Sequence, residues 1–113
     1  MLQVNNHQMA LFKGKQIRKI IHKNEWWFSV VDVIGVLTDS PQPKTYWAKM
    51  KDRDQEMSQP FPFWEQLKML AEDSKMRETD CANTEGIFRI VQSIYKLYFS
   101  NVTQILLSFR PRM

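Results

Sequence analysis

The side chains in this chain with chemistry to offer are cations. Lys44, Lys49, Lys51 and Arg53 fall within ten residues, interleaved with Tyr46 and Trp47, and Arg18, Lys19 and Lys23 form a second group upstream. Lysine and arginine at this density neutralise phosphates and release condensed counterions, which points to a polyanion and to nucleic acid first. The charge distribution agrees. Residues 1–53 hold nine Lys/Arg against four acids, a balance of +5, whereas residues 54–113 hold seven against eight, a balance of −1. Reading bases needs polar side chains in a groove, and Gln42, Gln55 and Arg53 are the nearest candidates. The bland alternative is a basic helix face that merely meets solvent.

Patterns for catalysis are missing. With three glycines in all, the chain has no Gly-rich phosphate loop, and it shows no paired-histidine metal motif and no nucleophile elbow. His7 and His22 lack ligand-spaced partners, and a single cysteine, Cys81, excludes an internal disulfide and paired-cysteine metal sites. Asp32, Asp39 and Asp80 can be assembled on paper as a nuclease cluster, but Asp32 and Asp39 suit helix termini better. Cys81 reads as a small buried hydrophobe, His22 as a strand surface residue, and Arg77 with Glu78 as a sheet-surface pair. The expectation is a protein that is not an enzyme, with no cofactor, no metal and no small-molecule substrate. The N-terminus lacks the apolar run of a signal peptide, and no window approaches the roughly 18 apolar residues of a membrane span. A cytoplasmic protein is expected.

The elements that must carry these cations are organised around Ile17 to Ser40. Gln8 to Lys13 is a short apolar run ending at a Gly14-Lys15 turn. Gln16 to Lys23 is rich in isoleucine and predicts a strand. Lys23-Asn24-Glu25 turns it into a third strand, Trp26-Trp27-Phe28, which completes a small meander. Ser29 is the N-cap of a helix from Val30 to Leu37, with Asp32 in the first turn. That helix is apolar almost all round and should be buried. Gly35 within it predicts close packing against an aromatic such as Trp26 or Trp27. Lys44 to Met57 predicts one amphipathic helix, with Tyr46, Met50 and Met57 together and Trp47 at their edge. Tyr46 and Trp47 are more readily core anchors than base-stacking rings. Ser58 to Trp64 is a loop with its aromatics tucked on the core. Gln66 to Leu70 and Lys75 to Asp80 form a short hairpin around Ala71 to Ser74. A last helix starts at Asn83 or Thr84 and carries Ile87, Phe88, Val91 and Ile94. The fold expected is α+β: a small antiparallel sheet, made of N-terminal hairpins and a later short hairpin, packed with three or so helices.

Taken together, Trp26 to Ile34, Leu37 to Ser40, Tyr46-Trp47 and Lys75 to Ile94 resemble, in order and spacing, the BRO family N-terminal domain, found in phage and prophage antirepressors and in large DNA viruses of insects. The resemblance covers about Met9 to Ile94. It implies a small α+β DNA-binding domain with a regulatory role, commonly followed by a separate C-terminal domain, and it implies no catalysis. Tyr95 to Met113 departs from the family pattern. Residues 1–94 are therefore expected to form the DNA-binding domain, and residues 95–113 a divergent or truncated tail. That tail either packs as a surrogate helix through Val102, Ile105, Leu106 and Phe109 or stays loose.

The leading expectation is the DNA-binding module of an antirepressor-like regulator. Its partner is double-stranded DNA, held by Arg18, Lys19, Lys23, Lys44, Lys49, Lys51 and Arg53. The alternative is a protein–protein interaction module that binds a phage repressor or a homologous chain, in which case the basic surface meets an acidic protein. A non-functional prophage remnant belongs to the same alternative. No membrane partner is expected.

Overall fold

Two successive residues with left-handed backbone, Lys23 (φ 52°) and Asn24 (φ 60°), reverse the chain between its second and third strands. This is the two-residue type I′ turn, whose twist matches that of the flanking strands. It joins β2 (Lys15–His22) to β3 (Glu25–Ser29), while β1 (His7–Phe12) pairs with β2 on the other side of Gly14 (φ 74°). The computed structural model describes residues 7–12, 14–59 and 64–108, with side chains described over 14–55, 57–59 and 64–96.

The later hairpin, β4 (Glu65–Leu70) and β5 (Met76–Asn83), belongs to the same sheet. Strand β5 pairs antiparallel with β3, and the five strands run in the order β1-β2-β3-β5-β4. The fold is α+β, with one continuous antiparallel sheet.

Helix α1 (Val30–Thr38) starts where β3 ends, and Ser29 makes the switch. Its backbone is extended (φ −63°, ψ 119°), and its hydroxyl accepts from the Asp32 N–H at 3.3 Å. Val30, Val33, Ile34 and Val36 are buried, as the all-round apolar pattern requires. Asp39 closes the helix in the left-handed region (φ 52°), with its N–H on the Gly35 carbonyl. Gly35 faces Pro43 rather than Trp26 or Trp27: a Cβ there would lie 3.6 Å from the Pro43 ring.

Residues 44–57 form two helices and not the single one predicted. α2 (Pro43–Arg53) stops at Asp54, which is extended (φ −112°, ψ 112°), and α3 (Gln55–Ser58) follows. Asp54 accepts at its carbonyl from the N–H groups of Met57 and Ser58, so it caps α3 while its own N–H still closes α2. Its side-chain carboxylate accepts from the Ser93 hydroxyl at 3.4 Å. The resulting bend brings Met57 into the core beside Met50.

Helix α4 (Thr84–Ser108) begins at Asn83, whose side chain accepts from the Gly86 N–H at 2.9 Å. It runs unbroken through residue 95 and carries the backbone of the expected tail on to Ser108. The main core joins Val30 and Ile34 of α1 to Trp47 and Met50 of α2, Ile90 and Ile94 of α4, and Ala82 of β5. Trp64 completes it, with its indole 5.8 Å from that of Trp47, edge to face. A second cluster, Trp27, Met69 and Cys81, lies on the opposite sheet face by the alternation of the strands. Of the aromatic run, Trp27 is buried, whereas Trp26 and Phe28 are half-buried. The expected docking of the Ser58–Trp64 loop falls largely on Pro60 to Phe63, outside the described residues, as does Phe109.

Candidate nucleic-acid interface

Helix α2 has one face in the core and one in solvent. Trp47 and Met50 are buried, whereas Lys44, Thr45, Ala48, Lys49, Asp52 and Arg53 are exposed. On a helix, Lys49 and Arg53 are neighbours one turn apart, and Lys44 lies about 140° round from Lys49. Thr45 and Ala48, both small, sit between these flanks together with the exposed acid Asp52, one turn after Ala48. Among the described residues no carboxylate pairs with Lys44, Lys49 or Arg53.

Asp80 on β5 holds the inner side of the helix. Its carboxylate accepts from the Trp47 indole N–H at 2.7 Å and from Lys51 Nζ at 3.1 Å, and Gln66 Nε2 donates to it at 3.3 Å. The Lys51 ammonium also lies over the rings of Trp47 and Trp64, at 5.3 and 5.1 Å from their centroids. Lys51 is therefore half-buried and neutralised.

Arg18 and Lys23 are likewise engaged within the fold. Arg18 grips Asp32 through Nε at 2.8 Å and Nη2 at 3.1 Å, donates to the Leu70 carbonyl at 3.0 Å, and reaches the Ser29 hydroxyl at 3.2 Å. The hydrogen bond to Asp32 raises its pKa above the ordinary arginine value, against the opposing effect of burial. Lys23 donates to Glu65 at 2.7 Å, and His22 Nε2 lies 3.0 Å from the other carboxylate oxygen. The Lys23 hydrogen bond, helped by His22, holds the Glu65 carboxyl below its ordinary range. Lys19 has its ammonium 4.2 Å from the Trp26 ring centroid. It shares the sheet face of Phe28, Ala82 and Asp80, the face on which α2 sits.

Gln42 and Gln55 mark the two ends of α2, and both are exposed. Gln42 is the N-cap residue and accepts weakly from the Thr45 hydroxyl at 3.4 Å, while Pro43 fills the first helical position. Beside this end lies a groove of about 880 Å³ between the α1–α2 junction and the β4–β5 turn. Glu72 and Asp73 line its far wall opposite Lys44, so its charge is mixed. Arg77 pairs with Asp73, not with its neighbour Glu78.

Asp32, Asp39 and Asp80 do not converge: their partners are Arg18, Lys15 and Lys51. Among the described residues no three His, Cys, Asp or Glu side chains group as a metal site. Cys81 is fully buried, and burial pushes its thiol pKa up to about 12. No helix among the described residues is long and apolar enough to cross a membrane. The sequence reading missed Asp80 and Glu65 as anchors, because only the strand register brings them to their partners.

A family model described as the BRO family, N-terminal domain, matches residues 16–105, from the start of β2 to near the end of α4. The match passes Ile94 and takes in much of the stretch set apart as a divergent tail. No curated protein and no solved structure matches the chain.

Proposed function

This chain belongs to the BRO family through its N-terminal domain, and we propose that it is the double-stranded-DNA-binding module of an antirepressor-type phage or prophage regulator. It acts in the cytoplasm and catalyses no reaction. The observation that carries this reading is the outer face of α2, where Lys44, Lys49 and Arg53, which pair with no carboxylate among the described residues, flank a strip of Thr45, Ala48 and Asp52.

A helix of 11 residues is about 16 Å long and fits a major groove about 12 Å wide. Thr45 and Ala48 let the first half of the helix approach the base edges, whereas Asp52, one turn on in the same strip, lowers the positive charge of the face. Lys44 on one flank and Lys49 with Arg53 on the other then meet phosphates of the two groove walls. Gln42 and Gln55 are placed to read bases at the two ends. Lys19 extends the phosphate-binding surface onto the sheet. Arg18, Lys23 and Lys51 add little, because Asp32, Glu65 and Asp80 already neutralise them. The expected set of seven cations thus narrows to four.

Three phosphate contacts from α2 give a slope of log affinity against log salt of about −2.7, and removing two flattens it by nearly 2. Lys49→Glu/Arg53→Glu should therefore bind duplex DNA much more weakly at low salt and with a shallower salt dependence. Undiminished binding by the double variant would overturn the assignment to α2.

A further inference from the structure

Asp52 stands at the middle of the α2 face that the cations flank. With about 100° of turn per residue, it lies about 80° round the helix from Lys44, about 60° from Lys49 and about 100° from Arg53. The buried pair is on the other side, with Trp47 about 140° and Met50 about 160° away. Asp52 therefore marks the ridge of the exposed face, farthest from the core. It is exposed, and among the described residues its side chain has no cation and no hydrogen-bond partner.

The helix itself does not favour an acid there. Asp52 is the penultimate residue of α2, beside Lys51 and Arg53. The partial negative charge of a helix C-terminus favours cations such as these two and repels a carboxylate. Aspartate is also a weak helix former. No side-chain contact among the described residues offsets these costs. A residue set against its local preferences in this way is expected where the position has a task.

When a helix lies in the major groove, its ridge meets base edges and its flanks meet phosphates. A carboxylate can only accept hydrogen bonds. Guanine N7 and O6 and thymine O4 are acceptors and repel it, and adenine sets an acceptor beside its amino group, whereas cytosine offers the N4 donor alone. We propose that Asp52 is a specificity-determining residue, which accepts from the N4 amino group of one cytosine in the bound duplex and disfavours other bases at that place. The assignment rests on the reading of α2 as the helix that enters the duplex. Lys44, Lys49 and Arg53 supply affinity for any sequence, and Asp52 lowers that affinity while adding discrimination.

Selection of bound sequences from random duplex DNA by the full chain tests this, for wild type, Asp52→Asn and Asp52→Ala. The wild type should select a cytosine at one fixed place, and replacing that base pair should weaken binding about tenfold. Asp52→Asn should move the preference at that place alone to adenine, whose N6 and N7 an amide pairs bidentately. Asp52→Ala should lose the preference there and bind a scrambled duplex more tightly than wild type. Neither variant should lower the urea midpoint, so a folding defect would not explain the change. The same motif in all three proteins, or a wild type that retains duplex DNA with no motif, would overturn the role of Asp52 and leave α2 as a DNA-binding helix. A wild type that retains no duplex DNA would overturn both.

Discussion

The indole N–H of Trp47 donates to the Asp80 carboxylate at 2.7 Å, and this bond fixes the basic helix α2 to strand β5. Trp47 is buried and Asp80 nearly so, and Lys51 completes the cluster. Asp80→Ala strands a buried indole donor and leaves the ammonium unpaired. The expected loss is about 3 kcal/mol in urea unfolding. Asp80→Asn keeps an acceptor for the indole and should lose about 1 kcal/mol. Combined with Trp47→Phe, the alanine variant should be clearly less destabilised than the sum of the two single changes. Strict additivity would show that the bond carries no coupling.

Arg18 is held within the fold, unlike the cations proposed to contact DNA. Its guanidinium straps β2 to α1 through Asp32 and to the end of β4 through the Leu70 carbonyl. Arg18→Ala should lower stability by about 2 kcal/mol, because the half-buried Asp32 carboxylate loses its partner. The folded protein should nevertheless bind DNA with an unchanged salt slope. A slope flatter by about 1 would return Arg18 to the phosphate contacts.

Local chemistry made much of this fold readable in advance. The Ser29 cap, the Lys23-Asn24 turn and the apolar α1 are each decided within a few residues of chain, and all three were legible. The partners of the cations were not. Lys49 and Arg53 look like Lys51 and Arg18 in sequence, and the distinction lies in acids 29 and 14 residues away that strand pairing brings close. The break at Asp54 was missed for another reason. The apolar spacing continues through it, so periodicity alone predicts a single helix, and the contact of Asp54 with Ser93 of α4 joins residues 39 apart in the chain.

Gly35→Ala should stabilise the protein. The added methyl would sit 3.6 Å from the Pro43 ring, an ordinary contact that needs no rearrangement. Alanine is favoured over glycine within a helix by about 1 kcal/mol, so the denaturation midpoint should rise by a corresponding amount. A fall would mean that α1 and α2 pack too closely there for a methyl group.

Cys81 should be silent to thiol reagents in the native state. It has no exposed surface, and its thiol pKa of about 12 leaves almost no thiolate at neutral or mildly alkaline pH. Labelling should become complete on unfolding in urea. Native labelling faster than global unfolding would instead reveal local opening of the β4–β5 hairpin.

Glu65 makes stability fall on the acid side. Lys23 and His22 donate to its carboxylate, so its pKa in the folded protein lies below the ordinary glutamate value of the unfolded chain. The unfolded state therefore binds the proton more readily. The stabilisation is fully present above the ordinary value, about 4.3, and is lost as pH falls through the lower folded value. Glu65→Gln removes the charge at every pH. The urea midpoints of wild type and variant should differ at neutral pH and converge in acid. A gap that persisted below the folded pKa would assign the effect to the packing of the side chain between β4 and the β2–β3 turn, and not to its charge.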